Sequence, residues 1–318
     1  MIDITLKNFE SELIQGSMKQ PVLLDIWAPW CGPCKALGPV LEKLETAYAG
    51  RFKLAKLNSD EQPEISGQLS QMFGVRSIPF CVLFDKGQPI DGFVGALPES
   101  QVRAFLDKHV PSAEEAAADD EVQEAQALLA EGDTDRALEK LQEAVAIDPA
   151  NDEARYDYLR ALLGAGRVAD ARRVFDPVAA KAFDRNSPHP KLAAVGHWLA
   201  ACEKAPGARA PAALEAAIAA NKRDFDARFE RAQTLMAAQR FTDAMDELLE
   251  IIMRDKAWSE ELARRTYVAI LELMAKPATK AAPAQAAGGT LELTGKAVKS
   301  GDDSVVDQYR RKLSMALF

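Results

Sequence analysis

The sequence predicts an α/β domain with a mixed sheet, followed by an all-α domain of paired-helix repeats. Three observations carry this expectation. Apolar strand-like runs alternate with helical periods as far as residue 110. From Glu121 onward strand signals vanish and small residues recur at a fixed interval. A Cys-x-x-Cys pair, Cys31 and Cys34, stands where an apolar run meets a helical one. The 318 residues suffice for about two domains.

Residues 3–7 read as a short strand and 9–19 as a first helix. Val22-Leu23-Leu24-Asp25-Ile26-Trp27 reads as a strand buried on both faces, with one carboxylate in its middle. A helix over 35–49 follows, with Leu37, Leu41 and Leu44 on one face. Residues 52–57 alternate as a strand, and Pro63 to Phe73 reads as a helix closed by Gly74. Strands at 78–85 and 90–94 flank Lys86-Gly87, a hairpin turn. The helix from Pro98 to His109 turns Val102, Phe105 and Leu106 inward. This order makes a mixed sheet with helices on both faces.

Residues 112–120 read as an acidic, alanine-rich hinge. Beyond them Gly132 and Gly166 are 34 residues apart, as are Ala137 and Ala171, and Leu141 and Phe175, which is the tetratricopeptide period. Glu153-Ala154-Arg155-Tyr156 matches Asp226-Ala227-Arg228-Phe229 at an offset of 73. Helix pairs are expected at about 121–148, 152–182, 190–222 and 225–255, with a last helix at 259–275. Residues 276–301 are expected to be a flexible linker, since their low-complexity stretch is too poor in apolar residues to pack. Residues 302–318 form a short amphipathic helix with Tyr309, Leu313, Ala316 and Leu317 on one face. It either caps the last repeat or is presented to a partner's groove. The long tether favours presentation, because fifteen flexible residues span roughly 20 Å, a reach that a cap does not need.

Composition narrows the function. The 39 basic and 48 acidic residues give a net charge of −9, which argues against nucleic acid or an anionic membrane as partner. No apolar run approaches the roughly 20 residues that span a bilayer. Residues 1–7 lack a signal core, so a cytoplasmic location is expected. Four cysteines in such a chain are no disulfide scaffold, and a reducing compartment fits them.

The Cys-x-x-Cys pair reads as a redox device. At a helix N-terminus the Cys31 sulfur would face free backbone N–H groups and the positive end of the macrodipole, which favours the nucleophilic thiolate. Cys34, one turn in, then resolves the mixed disulfide. Structural zinc is the alternative, but it needs about four ligands, and Cys81, Cys202 and His109 make no second pair. Asp25, costly to bury unpaired, suits a proton acceptor for Cys34. Lys56 is either its partner or a plain surface lysine. Cys81 and Cys202 read as packed thiols, and His189 and His197 as structural residues.

Residues 1–110 resemble thioredoxin in Asp25 before Trp27, Trp30-Cys31-Gly32-Pro33-Cys34-Lys35, Lys56, Ile78-Pro79 and Gly95-Ala96. The resemblance implies a thiol–disulfide oxidoreductase with catalytic Cys31, Cys34, Asp25 and Lys56. It implies a groove at Trp30, Gly32, Pro33, Ile78, a cis Pro79 and Phe80. It also implies no metal and no bound cofactor, the Cys31–Cys34 disulfide being the redox group. Phe80 stands where thioredoxins usually carry threonine, and either widens an apolar docking surface or fills core. With the repeats, Gly87-Gln88-Pro89-Ile90-Asp91-Gly92-Phe93 and Tyr309-Arg310-Arg311-Lys312-Leu313, the whole chain resembles the YbbN/CnoX co-chaperones, or chaperedoxins. That resemblance implies a cytoplasmic holdase for unfolded or oxidised clients under oxidative stress. It implies a GroEL-type chaperonin bound through Tyr309, Arg310, Arg311, Leu313, Leu317 and Phe318, with DnaK-type chaperones and thioredoxin reductase as further partners. Some members lack the first cysteine; this chain keeps both, so live reductase activity is expected.

Overall fold

In the computed structural model, which describes residues 2–275 and 304–317, the first hundred residues build β1 (Ile2–Asp3), β2 (Val22–Trp27), α1 (Gly32–Ala47), β3 (Lys53–Asn58), α2 (Pro63–Phe73), β4 (Phe80–Asp85), β5 (Gln88–Val94) and α3 (Glu99–His109). The strands form a mixed sheet of order β1-β3-β2-β4-β5, with β2 central. β1 and β2 run parallel to β3, and β4 runs antiparallel to β2 and β5. Alternation along β2 sends Val22, Leu24 and Ile26 into one core with Ile65 and Leu69 of α2. Leu23 faces the other way, into a core with Leu37, Leu41 and Leu44 of α1 and Val102 and Leu106 of α3. Lys86 and Gly87, with φ of 51° and 77°, turn β4 into β5 in the left-handed pair that hairpins favour.

Two expected elements come out differently. The strand at 3–7 is cut short because the Asn8 side chain accepts the Thr5 N–H at 2.7 Å and turns the chain. The helix at 9–19 becomes a π-turn over Phe9–Ile14 and a 3₁₀ turn over Gly16–Met18. Ser17 is pulled out of helical register by the β4–β5 hairpin. Its carbonyl accepts the Lys86 N–H at 2.8 Å and its hydroxyl accepts the Gly87 N–H at 3.1 Å.

The hinge read at 112–120 is instead the start of a helix, α4 (Ala113–Glu131). Its cause is a capping box that the alanine-rich composition conceals. Ser112 Oγ accepts the Glu115 N–H at 3.0 Å, and the Glu115 carboxylate accepts the Ser112 N–H at 2.7 Å. The chain divides into compact units at residues 1–117 and 118–318.

The second unit continues with α5 (Thr134–Ile147), α6 (Asp152–Gly164), α7 (Val168–Phe175), α8 (Ala179–Ala182), α9 (Pro190–Lys204), α10 (Pro211–Ala220), α11 (Phe225–Ala237), α12 (Phe241–Arg254), α13 (Trp258–Met274) and α14 (Val305–Leu317). The periodic residues have evident structural tasks. Gly132 and Gly166 adopt φ of 85° and 73° at helix ends, a conformation that glycine takes without strain. Ala137, Ala171, Leu141 and Phe175 are all in the core. The offset of 73 marks two buried arginines doing the same job. Arg155 donates to the carbonyls of Pro149 and Val174, at 2.7 and 3.3 Å. Arg228 donates to the Lys222 carbonyl at 3.2 Å and to Glu247 at 2.8 Å. Each ties the loop before its helix to the helix after it. Gly196 of α9 leaves room for aromatic rings, since a Cβ there would lie 2.6 Å from Phe175 and 2.7 Å from Phe183.

The linker read at 276–301 and Phe318 lie outside the described residues. Of the two readings of the terminal helix, the cap on the last repeat is the arrangement seen and the favoured presentation is not, because α14 packs on α12 and α13. Tyr309 is only 7% exposed, and Leu313, Ala316 and Leu317 join the repeat core. Polar hooks fix the seat. The Tyr267 hydroxyl donates to the Tyr309 carbonyl at 2.7 Å, and the Tyr309 hydroxyl donates to Asp246 at 3.2 Å. Lys312 reaches Asp246 at 3.2 Å and lies 4.0 Å over the Tyr309 ring. Tyr267 is fully buried, so undocking would cost it the partner that the carbonyl supplies. We expect Tyr309→Ala to weaken this docking by roughly 3 kcal/mol. Amide exchange over 305–317 should then quicken about 100-fold while the repeats stay protected.

Candidate active site

The dithiol is built by the end of one element and the start of the next. β2 stops at Trp27, Pro29 and Trp30 turn the chain, and Cys31 is the N-cap residue of α1, with Pro33 in the first turn. The Cys34 N–H donates to Cys31 Sγ at 3.2 Å, so one of the helix's unpaired amides points at that sulfur. The amide and the positive end of the helix both stabilise negative charge there when the pair is reduced. Cys31 and Cys34 form a disulfide. Each is only 4% exposed, and Ala28, Trp27 and Ile78 pack against them.

The groove residues divide. Gly32 and Pro33 are exposed, and Trp30 stands out at 70% exposure. The Trp30 indole N–H donates to Asp60 at 3.0 Å, which holds the ring beside the dithiol. The Ile78–Pro79 bond is cis, and Ile78 touches the cysteine cluster. Phe80 is corrected. It is 1% exposed in the core behind the sheet, packed edge-on to Phe73 with ring centroids 5.6 Å apart, so it lines no groove. Strand alternation turns it away from the face that Cys81 shares with Asp25.

Asp25 is 2% exposed in the middle of the sheet. It is in register with Lys56 on β3 and Cys81 on β4, so the three side chains form one row beneath α1. Burial pushes its carboxyl up to about 6, opposed by the Lys56 charge and by a hydrogen bond from Cys81. Lys56 does not bond Asp25 directly; its ammonium pairs with Glu42 of α1 at 2.8 Å. The direct partner is Cys81, whose Sγ lies 3.7 Å from Asp25 Oδ1. Sequence reading missed Cys81, Glu42 and Asp60 as members of this site. Cys81 was legible in hindsight, as it shares the Asp25 face of the neighbouring strand. Asp60 and Glu42 carried no local signal.

The remaining groups are structural. His189 caps α9 by accepting the Leu192 N–H at 3.3 Å. Burial pushes the His197 imidazole down to about 4, which keeps it neutral. Burial likewise pushes the Cys202 thiol up to about 11. Among the described residues no group of His, Cys, Asp or Glu is arranged to hold a metal ion, and no helix is long and apolar enough to cross a membrane.

The site and its surroundings match known proteins. Residues 1–108 match the thioredoxin family, and residues 128–194 and 204–285 match tetratricopeptide-repeat families. Thioredoxin of Chlorobaculum thiosulfatiphilum is 44% identical over 108 residues, which cover 34% of this chain and 94% of that protein. Thioredoxin of Haemophilus influenzae is 42% identical over 110 residues, 35% of this chain and 97% of that protein. Thioredoxin 1 of Nostoc sp. is 39% identical over 107 residues, 34% of this chain and 94% of that protein. The dithiol is that of a thiol–disulfide oxidoreductase, whose family works through a redox disulfide.

The buried carboxylate should be readable in stability. Its folded value of about 6 lies above the 3.8 of an unperturbed aspartate. Folding therefore favours the protonated form, and stability is lost as pH rises from 3.8 through 6. The shift is worth about 3 kcal/mol. Denaturant unfolding of the oxidised protein should find Asp25→Asn more stable than the parent by up to that amount at pH 8, with the advantage fading towards pH 4.

Proposed function

This chain belongs to the thioredoxin family through residues 1–108, with tetratricopeptide repeats behind them, and we propose that it is a redox-active co-chaperone. Its repeats hold an unfolding or oxidised client, its dithiol reduces that client, and its terminal helix passes the client to a GroEL-type chaperonin. The observation that carries the reading is the dithiol in one chain with a repeat unit built for protein contact. Holding a client on the repeats raises its effective concentration at Cys31 without new contacts.

The chemistry follows from the residues present. The Cys31 thiolate attacks one sulfur of a client disulfide, and the other client sulfur leaves as a thiolate and takes up a proton. Asp25 accepts the Cys34 proton, and the Cys34 thiolate attacks Cys31 Sγ. The client's second sulfur leaves, and the Cys31–Cys34 disulfide closes. Two electrons pass from the dithiol to the client. A flavoprotein of the thioredoxin reductase type returns the electrons, which fits a cytoplasmic setting. Exposed Trp30, with Gly32 and Pro33, supplies a client-facing surface, while Lys56 acts on Asp25 through its charge.

Delivery asks one more thing of α14. Its apolar face, with Tyr309, Leu313 and Leu317, lies on the repeats, while Arg310 and Arg311 face outward. The chaperonin therefore either engages the basic outer face first or competes α14 off its seat. DnaK-type chaperones are further candidate recipients. A second reading, favoured by the docked helix, is a thioredoxin-type reductase whose repeats only recruit substrates.

Two measurements separate the readings. The full-length protein should suppress aggregation of a heat-unfolded client and co-purify with chaperonin. Deleting residues 304–318 should abolish co-purification and leave suppression intact. Suppression by neither form would leave only the recruiting reductase. Covalent trapping tests the chemistry: Cys34→Ala should retain clients on Cys31, and Cys31→Ser should retain none and lose disulfide reduction entirely.

A further inference from the structure

The row of side chains beneath α1 contains a thiol that the dithiol reaction does not use. Cys81 is fully buried on β4, opposite Asp25 in the antiparallel register, with Sγ 3.7 Å from Oδ1. Among the described residues it is the hydrogen-bond donor that Asp25 has. The other neighbour in the row, Lys56 on β3, spends its direct contact on Glu42 of α1. The groups that act on Asp25 are thus the Lys56 charge from β3 and the Cys81 thiol from β4.

Cys81 is suited to stay a donor throughout. Burial and the adjacent carboxylate push its own ionisation well up, so it keeps its proton. A thiol is also nearly as apolar as the side chains around it, among them Leu23, Leu54 and Leu83. It can therefore hold a carboxylate without admitting water to the sheet.

We propose that Cys81 is a positioning residue for proton transfer in the dithiol reaction. Its S–H fixes Oδ1 of Asp25 and sets the pH at which that carboxylate takes the Cys34 proton. The proposal rests on Asp25 being the acceptor. The thiol forms no bond and changes no oxidation state; its hydrogen bond favours the ionised carboxylate over the protonated one, which is how a donor lowers the pH of titration.

The test uses full-length protein with Cys81→Val, which fits a strand and lacks a donor, and Cys81→Ser, which carries a stronger one. Two quantities are read: the titration of the Asp25 carboxyl carbon by NMR, and the pH dependence of single-turnover reduction of a model disulfide. Valine should raise both midpoints by about half a unit or more, and serine should hold or lower them. In an Asp25→Asn background neither substitution should move the kinetic profile. Equal midpoints in the parent, Val and Ser proteins would overturn the role of Cys81 while leaving Asp25 as acceptor. A kinetic profile unmoved by Asp25→Asn would overturn both. If the Val protein fails to fold, the serine protein decides alone: a midpoint that rises with the stronger donor sinks the proposal.

Discussion

The constraint on which the site depends is the place where β2 gives way to α1. The strand is central and buried, so its path is fixed by hydrogen bonds to β3 on one side and β4 on the other. Three residues after Ala28, Cys31 becomes the cap of a helix that packs back over the same sheet. The cap position gives its sulfur an amide from Cys34. The return of α1 over the sheet covers the Asp25 row and brings Glu42 to Lys56. The capped sulfur, its partner one turn in and the covered carboxylate are thus consequences of one strand–helix turn. A slip of one residue in β2 would turn Asp25 to the opposite face and dissolve the arrangement.

In that row burial and neighbouring groups pull in opposite directions. Desolvation raises the Asp25 carboxyl, and Lys56 and Cys81 pull it back. A value of about 6 lets one carboxyl exist in both protonation states across the mildly acidic range, as the proposed proton acceptor would need. Lys56 exerts its influence from a distance because Glu42 holds its ammonium. A direct ion pair with Lys56 would have kept the carboxylate ionised and removed that freedom.

In the repeat unit the same logic of buried polar groups specifies geometry. Arg155 and Arg228 each fasten a loop to the following helix, so the helix pairs are tied by hydrogen bonds as well as by alanine-lined packing. The seat of α14 is specified in the same manner. Apolar contact alone would tolerate sliding, whereas the Tyr267 hydroxyl on the Tyr309 carbonyl and the pair of bonds to Asp246 define one position. A docked state with a defined register can be exchanged against a partner as a unit, which is the property the proposed hand-over uses.

Periodicity and turn chemistry were local, and so they were legible in the sequence. The alternating strands, the helix closed by Gly74, the Lys86-Gly87 turn and the 34-residue spacing each follow from backbone preference and side-chain period. The Cys31–Cys34 chemistry is equally local, since four consecutive residues at a helix start carry it. Ser112 and Glu115 were legible too, but the acidic, alanine-rich composition around them suggested a hinge. The rest was decided by contacts between residues far apart in the chain. Ser17 left its helix because the hairpin at Lys86 claimed it. Phe80 went to the core because strand pairing fixed which face it shares. Lys56 turned to Glu42, Cys81 to Asp25, Trp30 to Asp60 and Tyr309 to the groove of α12 and α13. The sequence determined which segments form and where sulfur chemistry sits. Only the tertiary structure decided which donor meets which acceptor, because that depends on sheet register and helix packing, which no local window contains.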